Sequence, residues 1–401
     1  VYSLKEEKMV TISLCMIVKN EEDTLARCLD CIKDIVDEII IVDTGSTDHT
    51  KEIAKNYTNL VYDFKWIDFS AARNFSFSKA TKDYCLWLDA DDVISKKNQE
   101  KLKKLKETLT IDVDFVMMQY QIAWDEFNNP TFLYYRERLI RNNKLYLWEG
   151  EIHEVITTMG KIIYSDVIIT HKKIHETDPN RNINIFEKII NSGKELSLRH
   201  QFYYARELFY HERYEEAIKY LENFIKNPNA WLENRLDAIK LLSHCYNKLN
   251  LKDKILPTLL YSLELDTPRA EICCEIGQYF INKKQYKLAI FWYELALTRP
   301  QQTESGGFIL SDCYGYIPNM QLCICHYHLG EYHIANECNE KAGKLKPNDK
   351  NYKINKKFWV TIILVGYIIA FLKIDVISLL SYVPLGVIRE KYEIYRAQQE
   401  E

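Results

Sequence analysis

Hydrophobic and polar positions follow two alternating patterns in the first 175 residues or so. Short runs rich in β-branched residues, which are typical of buried strands, are separated by stretches with a helical apolar period. That period is clearest at Leu25, Leu29, Ile32 and Val36. Strands that alternate with helices predict a mainly parallel sheet, whose ligands bind beyond the carboxyl ends of the strands. The predicted strands are Thr11–Val18, Glu38–Val42, Asn59–Tyr62 and Tyr84–Leu88.

Three later apolar runs, Phe115–Gln121, Phe132–Arg138 and Lys161–Thr170, have no helical pattern between them. Strands joined without helices pair most simply as antiparallel neighbours, so we expect the sheet to finish as mixed or antiparallel. We therefore predict an α/β domain over residues 10–175, preceded by an N-terminal extension over residues 1–9.

From about residue 181 the pattern is helical only, and similar segments recur. Each contains a small residue, a turn, an aromatic residue, an alanine and a closing proline, at about 34 residues per unit. This period is the signature of tetratricopeptide repeats, in which helix pairs stack on their neighbours; an irregular helical bundle is the alternative. We predict repeats over residues 181–355, with an ordered loop at Gln301–Pro318. The copies are Tyr203–Pro228, Ile272–Pro300, Leu322–Pro347 and the weaker Asn234–Pro268.

Composition narrows the class of protein. Hydrophobic residues make up 47% of the chain, and aromatic residues make up 13% of it. This composition excludes a disordered chain. The 53 basic and 57 acidic residues leave a net charge of −4, which argues against a nucleic-acid partner. The first residues lack the apolar core of a signal peptide, and the eleven cysteines follow no disulfide framework. Both observations favour a cytoplasmic protein with reduced thiols.

An uncharged block near the C-terminus departs from this picture. Phe358–Leu372 and Val376–Ile388 contain no charged residue, and Lys373 and Asp375 lie between them. A spanning helix needs about 20 apolar residues, so neither run is long enough by itself. One tilted span, a shallow re-entrant anchor or a final helix pair packed on the repeats remain open. We expect residues 358–388, within a C-terminal segment over 356–401, to associate with a membrane.

The most specific chemical signal is Asp89-Ala90-Asp91, which directly follows the strand predicted at Tyr84–Leu88. Two carboxylates one residue apart can share a divalent cation, and hard oxygen ligands favour Mg²⁺ or Mn²⁺. Such pairs are common in solvated loops, so the spacing alone is weak evidence. Its position after a strand, with Asp43 at the end of an earlier strand, strengthens the prediction.

Four segments, in this order, resemble family 2 glycosyltransferases with the GT-A fold: "TISLCMIVKNEEDTLARCLDCI", "DEIIIVDTGSTDHTKEIA", "FSAARNFSFSKATKDYCLWLDADD" and "WEGEIHE". Together with the helical repeats, they are similar to bacterial members that carry a C-terminal tetratricopeptide array, including the peptide S-glycosyltransferases of glycocin biosynthesis. The resemblance covers roughly residues 10–355. It implies a nucleotide-diphospho-sugar donor, with a UDP-sugar favoured, and inversion at the anomeric carbon.

The resemblance also implies roles for individual residues. Asp43 resembles the aspartate that recognises the nucleobase of the donor. Asp89 would face the ribose and the metal, Asp91 would coordinate the cation directly, and His171 would be a further metal ligand. The other donor-binding residues that the resemblance implies are Val18, Asn20, Glu21, Arg73 and Asn74.

An inverting transfer needs a base that deprotonates the acceptor. Among the residues of "WEGEIHE" we favour Glu154, with His153 second and Glu149 third. The alternative is that His153 and Glu154 merely hold the loop. Family members commonly carry a basic residue where Glu151 stands, and this departure predicts a different acceptor or donor preference.

Two classes of function compete on this evidence. The first is a metal-dependent glycosyltransferase whose repeats hold a peptide, protein or glycan acceptor. The second is a catalytically silent scaffold that uses the repeats for binding. The pair Cys28-x-x-Cys31 is a further motif, which we interpret as structural because no second pair accompanies it.

Overall fold

The computed structural model describes residues 9–124, 130–174 and 178–359. The chain divides into two compact units. The first comprises Val1–Thr267 with Gln301–Leu310, and the second comprises Pro268–Pro300 with Ser311–Glu401. The first helices of the helical region thus belong to the same unit as the sheet, whereas the change of sequence pattern lies near residue 175.

Within the described residues, the first unit contains an eight-stranded sheet in the order β3–β2–β1–β4–β7–β6–β10–β5 and a two-stranded sheet of β8 and β9. The strands are β1 Ile12–Val18, β2 Glu38–Asp43, β3 Val61–Asp63, β4 Tyr84–Trp87, β5 Asp92–Val93, β6 Phe115–Trp124, β7 Pro130–Arg141, β8 Trp148–Glu149, β9 Val155–Ile156 and β10 Ile162–His171.

The large sheet is mixed. Strand β1 lies parallel to β2 and β4, and β2 lies parallel to β3. Strand β7 is antiparallel to both β4 and β6, while β10 is parallel to β6. Because β7 reverses the direction twice, β1, β2, β4, β6 and β10 all have their carboxyl ends at one edge. The predicted ending as a mixed sheet is therefore confirmed, and this edge brings Asp43 and His171 to the same side of the sheet.

Alternating residues of β1 supply the two cores of the sheet, because successive side chains of a strand point to opposite faces. Leu14 and Met16 are buried in one core together with Leu25 and Leu29. Cys15, between them, is buried in the other core with aromatic side chains that include Trp87, Phe77 and Trp148. The sheet is thus covered on both faces, as expected for a mainly parallel sheet.

The helix that carries Arg73 begins at a side-chain cap. Asp68 caps the helix that carries Arg73, because its carboxylate accepts the backbone N–H of Ala71 at 2.7 Å. The helices of the first unit are α1 Leu25–Asp30, α2 Thr50–Lys55, α3 Phe69–Lys79, α4 Lys96–Thr108, α5 Arg181–Asn191, α6 Leu198–Tyr210, α7 Tyr214–Phe224, α8 Leu232–Lys248 and α9 Lys252–Tyr261.

The helical region consists of helix pairs that share one kind of turn. In four successive pairs the connecting turn contains a residue with positive φ: Glu212, Asn250, Lys284 and Gly330, at 58°, 58°, 56° and 79°. The left-handed conformation closes each first helix and lets the chain reverse into the second. The pairs in the first unit are α6–α7 and α8–α9, and those in the second are α10 Ala270–Asn282 with α11 Tyr286–Leu297 and α12 Tyr316–His328 with α13 Tyr332–Leu345.

A close approach between helices in the second unit depends on a glycine. A Cβ at Gly277 of α10 would lie 2.7 Å from the ring of Tyr293 on α11. The ring is fully buried, so it has no room to retreat. The recurring small residue of the sequence repeat therefore corresponds to a packing requirement between paired helices.

The predicted loop after the third repeat is ordered in the structure. Its residues 301–310 belong to the first unit, where Ile309 pairs with Leu133 of β7 and the Tyr164 hydroxyl donates to the Glu304 carbonyl at 3.0 Å. The loop also contains two short 3₁₀ turns, at Thr303–Ser305 and Ser311–Tyr314.

Two further predictions concern cysteines and the C-terminal block. All eleven cysteines are free, in agreement with reduced thiols. The segment proposed to associate with a membrane, residues 358–388, lies outside the described residues beyond Trp359. Among the residues that the structure does describe, no helix is both long enough and apolar enough to cross a bilayer.

Candidate active site

The loop after β2 is organised by the carboxylate of Asp43. Its Oδ1 accepts the backbone N–H groups of Gly45 and Ser46 at 2.9 and 3.0 Å. Gly45 adopts φ of 107°, a conformation that favours glycine. The other oxygen, Oδ2, is buried and has no hydrogen-bond partner among the described residues. A buried carboxylate oxygen without a partner is costly, so this atom is available to a donor group of a ligand.

The predicted neighbours of Asp43 frame the same loop. The Val18 carbonyl accepts the backbone N–H of Thr44 at 2.9 Å, which joins the ends of β1 and β2. Asn20 Oδ1 accepts the N–H of Thr47 at 2.8 Å, and the Glu21 N–H donates to the hydroxyl of Thr50 at 2.7 Å. Val18, Asn20 and Glu21 therefore lie beside the aspartate that the resemblance connects with the nucleobase.

The turn after β4 presents three carboxylates in different environments. Asp91 is partly exposed, with 18% of its side chain accessible, whereas the side chain of Asp92 is fully buried. Asp89 is more open, with 33% accessible. The Asp92 carboxylate accepts the Asp89 backbone N–H at 3.0 Å, which closes the turn on itself. The buried aspartate thus shapes the turn, and the two others face the open edge.

His171, at the end of β10, meets this turn. Its Nδ1 lies 3.1 Å from Asp91 Oδ1 and 3.6 Å from Asp92 Oδ1. Burial alone would lower the pKa of His171, but the two carboxylates outweigh it and raise the pKa to about 10. The hydroxyl of Tyr120 lies 3.0 Å from the same nitrogen and donates to Asp92 Oδ1 at 2.9 Å. These groups form one polar cluster at the carboxyl edge of the sheet.

Arg138 holds the buried side of this cluster. The side chain is fully buried, and its Nη1 donates to Asp92 Oδ2 at 2.9 Å and to the Trp87 carbonyl at 3.2 Å. The guanidinium carbon lies 3.7 Å from the Trp87 ring centroid and 4.1 Å from that of Tyr120. A buried carboxylate needs a partner, and Arg138 pairs with Asp92 in the core.

Arg73 links the turn after β4 to the segment that contains the candidate base. Its Nη2 contacts Asp89 Oδ1 at 2.8 Å, and its Nε contacts Glu154 Oε1 at 2.6 Å. The guanidinium also lies within 5 Å of the ring centroids of Trp87 and Trp148. Burial by itself would raise the pKa of Asp89, but the charge of Arg73, the largest opposing influence, lowers the pKa to about 2.

The side-chain amide of Asn74 forms hydrogen bonds with the backbone of the two-stranded sheet. Its Nδ2 donates to the Trp148 carbonyl at 2.9 Å, and its Oδ1 accepts the Trp148 N–H at 2.8 Å. Both ends of the amide are therefore used on one residue at the start of β8. This arrangement fixes the segment 148–154 against α3.

The three candidate bases of that segment lie in different surroundings. Glu154 is mostly buried, with 11% of its side chain accessible. His153 has φ of 52° and stacks on Tyr203 of α6, with ring centroids 4.1 Å apart. Its Nε2 lies 3.9 Å from Glu207 Oε1, so the ring faces the helices. Glu149 is exposed on β8. Only Glu154 contacts the arginine that also binds Asp89.

Glu151, the departure from the family pattern, contacts the helical region. Its carboxylate forms an ion pair with Lys194 and lies 3.5 Å from His200 Nδ1. Burial alone would raise the pKa of Glu151, but Lys194 outweighs it and lowers the pKa. The carbonyls of Ile152 and His153 accept hydrogen bonds from His200 and Arg199 of α6. The segment 148–154 is thus held by α3 on one side and by α6 on the other.

Comparison with known proteins adds to this geometry. Residues 13–165 match the family described as glycosyl transferase family 2. This chain contains a family 2 glycosyltransferase domain. The matched residues run from β1 into β10 and include the turn with Asp89, Asp91 and Asp92, whereas His171 lies beyond them. The predicted fold class, a mixed and mostly parallel α/β domain of the GT-A type followed by tetratricopeptide-type helix pairs, is confirmed.

Relatives extend the likeness beyond the glycosyltransferase domain. The SPbeta prophage-derived glycosyltransferase SunS of Bacillus subtilis is 31% identical over 286 residues, which are 67% of this chain and 65% of that protein. The chain therefore spans slightly less than two thirds of that relative. A tetratricopeptide repeat-containing protein of Synechococcus elongatus is 49% identical over 85 residues, 21% of each chain.

Among solved structures, glucosyl-3-phosphoglycerate synthase from Mycobacterium tuberculosis, in complex with Mn²⁺, UDP-glucose and phosphoglyceric acid, is similar over 28% of this chain and 44% of that chain. The sequence identity is 24% and the TM-score is 0.25.

The cluster in the glycosyltransferase domain fits a divalent cation. Asp91, Asp92 and His171 each offer one ligand atom, and these atoms lie within 4.8 Å of one another. Carboxylate oxygens are the ligands that Mg²⁺ and Mn²⁺ prefer. The raised pKa of His171 shows that the carboxylates already favour a positive charge at this point. A cation would satisfy the same electrostatic demand.

The sequence predicts Asp89, Asp91 and His171 as metal ligands, and the structure brings Asp91, Asp92 and His171 together. Asp89 contacts Arg73 and is not a member of the group formed by Asp91, Asp92 and His171. Asp92, Tyr120 and Arg138 were not singled out from the sequence. The third acidic residue of Asp89-x-Asp91-Asp92 was the one available signal for Asp92. Nothing local marks Tyr120 or Arg138, because their role depends on strands β6 and β7 lying beside β4 and β10.

Proposed function

We propose that this protein transfers a sugar from a nucleotide-diphospho-sugar, with a UDP-sugar favoured, to an acceptor held partly by the helical repeats. The transfer proceeds with inversion at the anomeric carbon, as the family resemblance implies. The observation that carries the proposal is the contact of 3.1 Å between Asp91 and His171 at the carboxyl edge of the sheet. In open sheets with parallel strands, this edge is where ligands bind.

The nucleobase is assigned to the Asp43 loop. Asp43 Oδ2 is buried without a partner among the described residues, so it can accept an N–H group of a base such as uracil. Val18, Asn20 and Glu21 border this position through their contacts with the loop. The ligand would supply the hydrogen bond that this buried oxygen lacks.

The diphosphate is assigned to the neighbouring cluster. Asp91 and His171 would hold Mg²⁺ or Mn²⁺, with Asp92 behind them and Asp89 on the ribose side. A bound divalent cation neutralises charge that develops on the departing diphosphate. Arg73 keeps Asp89 and Glu154 at fixed positions relative to each other, because one guanidinium binds both carboxylates.

Glu154 is the proposed base. Its Oε1 is fixed by Arg73, while its Oε2 has no hydrogen-bond partner among the described residues. A base must be oriented and still have an atom free for the proton that it takes from the acceptor. His153 does not meet this requirement as well, because its ring is stacked on Tyr203 and faces Glu207. Glu149 is exposed and lies on β8.

A peptide or protein acceptor is favoured over a glycan. The segment that carries Glu154 is bonded to α6 through the carbonyls of Ile152 and His153. The first helix pairs therefore lie next to the proposed base, and tetratricopeptide-type repeats bind extended segments of polypeptide on their concave faces. The relative SunS carries the name glycosyltransferase, in agreement with transfer of a sugar.

Donor turnover tests the proposal most directly. The purified chain is incubated with Mn²⁺ and a panel of UDP-, GDP- and dTDP-sugars, and the released nucleotide is measured. Asp91→Asn should lower the release by about 100-fold or more, since even partners of metal ligands contribute about 10- to 100-fold. The matched control is Asp166→Asn, the same change at an exposed aspartate that pairs with Lys101.

Two results would overturn the proposal. One is that no donor binds or reacts, which would favour the silent scaffold. The other is that Asp91→Asn and Asp166→Asn retain equal activity with the donor that the protein uses. If the donor does react, intact-mass measurement of peptides co-expressed with the enzyme would identify the acceptor, because each transferred sugar adds a fixed mass.

A further inference from the structure

Three side chains at the end of α1 contact the backbone of the turn that carries the carboxylates. Arg27 Nη2 donates to the Asp91 carbonyl at 3.3 Å. Cys28 Sγ donates to the Asp89 carbonyl at 3.4 Å, and Cys31 Sγ accepts the N–H of Ile94 at 3.3 Å. We call these three residues the α1 clamp. The Cys-x-x-Cys motif thus faces the turn at both of its ends, while Arg27 reaches its middle.

Arg27 also bonds to the strand that carries His171. Its Nη2 donates to the Lys172 carbonyl at 2.7 Å, and the Lys172 N–H donates to the Asp91 carbonyl at 2.9 Å. Strands β5 and β10 pair next to this point, with His171 opposite Asp92. Arg27 Nη2 therefore donates to backbone carbonyls on both sides of the β5–β10 pair, next to its last paired residues.

This position matters because the two strands contribute different ligand groups. Asp91 comes from the turn after β4, and His171 comes from the end of β10, 80 positions later in the sequence. Strand β5 has only two residues, so few ladder hydrogen bonds fix the register of this pair. Without Arg27, the Lys172 carbonyl would lose this donor, and the end of the ladder would be free to fray.

We propose that Arg27 is a positioning residue, which sets the spacing of Asp91 and His171 for a divalent cation through their backbone. The inference rests on the proposed function, since it presupposes a metal at these residues. The two cysteines of the α1 clamp hold the flanks of the same turn, which gives the Cys-x-x-Cys motif a role as packing and hydrogen-bonding groups.

Binding of Mn²⁺ alone tests this role without any turnover. The full chain is titrated with Mn²⁺, and free Mn²⁺ is measured by electron paramagnetic resonance. Arg27→Gln should raise the dissociation constant by about 10- to 100-fold, the range for groups that orient metal ligands. Arg27→Lys keeps the positive charge but has fewer hydrogen-bond donors, so an intermediate increase in the dissociation constant is expected.

Lys33→Gln is the matched control. Lys33 lies just after α1 and pairs with the exposed Asp30 at 2.7 Å. Its replacement by Gln changes the net charge by the same amount as Arg27→Gln. The Mn²⁺ affinity of Lys33→Gln should equal that of the unaltered protein. Saturating Mn²⁺ should also restore most of the turnover of Arg27→Gln, because the variant retains every metal ligand.

The outcomes separate the inference from the proposed function. If the unaltered protein binds Mn²⁺ and Arg27→Gln binds it equally well, the positioning role is overturned and the metal site stands. If the unaltered protein binds no Mn²⁺, the metal-dependent function is overturned as well. Should Arg27→Gln fail to fold, as judged by thermal unfolding without metal, Arg27→Lys decides: affinity equal to that of Lys33→Gln would overturn the inference.

Discussion

The two sides of the sheet edge are built in different ways. On one side, the Asp43 carboxylate is fixed by Gly45 and Ser46, its nearest followers in the chain. On the other side, Asp91 and Asp92 meet His171 from β10 and Arg138 from β7. The carboxylate of the first side is fixed within its own turn, whereas those of the second are held by distant strands.

This difference has a consequence for how each side tolerates change. A local turn keeps its shape as long as its own residues can adopt the conformation. An assembled cluster depends on every element that carries a member, and its buried charges are costly when a partner is lost. Substitutions on the Asp43 side should therefore affect ligand affinity alone, and those on the assembled side should affect stability as well.

The largest effect on stability is expected from Arg138→Met. The change removes the guanidinium that pairs with the fully buried Asp92, which should lower the free energy of unfolding by about 3–5 kcal/mol. Urea unfolding followed by tryptophan fluorescence measures this loss, because Trp87 lies against the Arg138 guanidinium.

The double variant Arg138→Met with Asp92→Asn sharpens this test. Replacing both members of a buried ion pair is far less costly than removing one, so the double variant should regain much of the lost stability. A single variant as stable as the unaltered protein would show that Asp92 does not depend on Arg138.

A smaller effect, confined to donor affinity, is expected from Asp43→Asn. The asparagine oxygen can still accept Gly45 and Ser46, but the other atom becomes an N–H₂ donor facing the nucleobase. Loss of a charge-assisted hydrogen bond corresponds to about 1.5–3 kcal/mol, or about 10- to 100-fold in the dissociation constant for the donor. Titration calorimetry with the preferred nucleotide measures it.

Asp63→Asn is the control for this prediction, because Asp63 ends the neighbouring strand β3 and is exposed beside Lys51. Mn²⁺ affinity in the absence of a donor should be the same for both variants and for the unaltered protein. A loss of Mn²⁺ affinity in Asp43→Asn would contradict the separation of the two sides.

The smallest effect concerns the pH dependence of stability near the segment 148–154. Burial lowers the pKa of His153, although Glu207 opposes this in part. The unfolded chain, with a histidine pKa of about 6.5, then binds a proton more readily than the folded protein. The contribution of His153 to stability is therefore complete above about pH 6.5 and is lost as the pH falls through its lowered folded pKa.

His153→Phe keeps a ring against Tyr203 and removes the titrating group. The free energy of unfolding should therefore decline less steeply below pH 6.5 in this variant than in the unaltered protein. Denaturant unfolding at a series of pH values checks the difference. Equal slopes for the two proteins would show that His153 is not held as a neutral ring between the helices.

Much of the architecture could be predicted from the sequence. The strand runs, the change to a helical pattern near residue 181 and the period of about 34 residues all correspond to observed elements. Hydrophobic periodicity is a local property, so the printed sequence contains it in full. Among the candidate site residues, Asp43, Asp91 and His171 each end or follow an apolar strand, and the family resemblance implies their roles.

Partnerships between distant residues were beyond such reasoning. Asp89 was expected beside the cation, but Arg73 binds its carboxylate, and Asp92 lies in the cluster instead. Asn74 is predicted to bind the donor, and the structure shows its amide bonded to the backbone of Trp148. In each case the bonding partner lies on another element of the fold. The spacing of residues along the chain does not indicate how close that element lies.

The sequence by itself therefore predicted the class of fold, the resemblance to family 2 glycosyltransferases and the strand ends at which the candidate site lies. The tertiary structure alone decided which carboxylate is buried, which arginine neutralises it and which helix steadies the turn. The physical reason lies in the range of the forces concerned. Backbone pattern and turn chemistry act between near neighbours, whereas burial and charge pairing depend on what the completed sheet brings within a few ångströms.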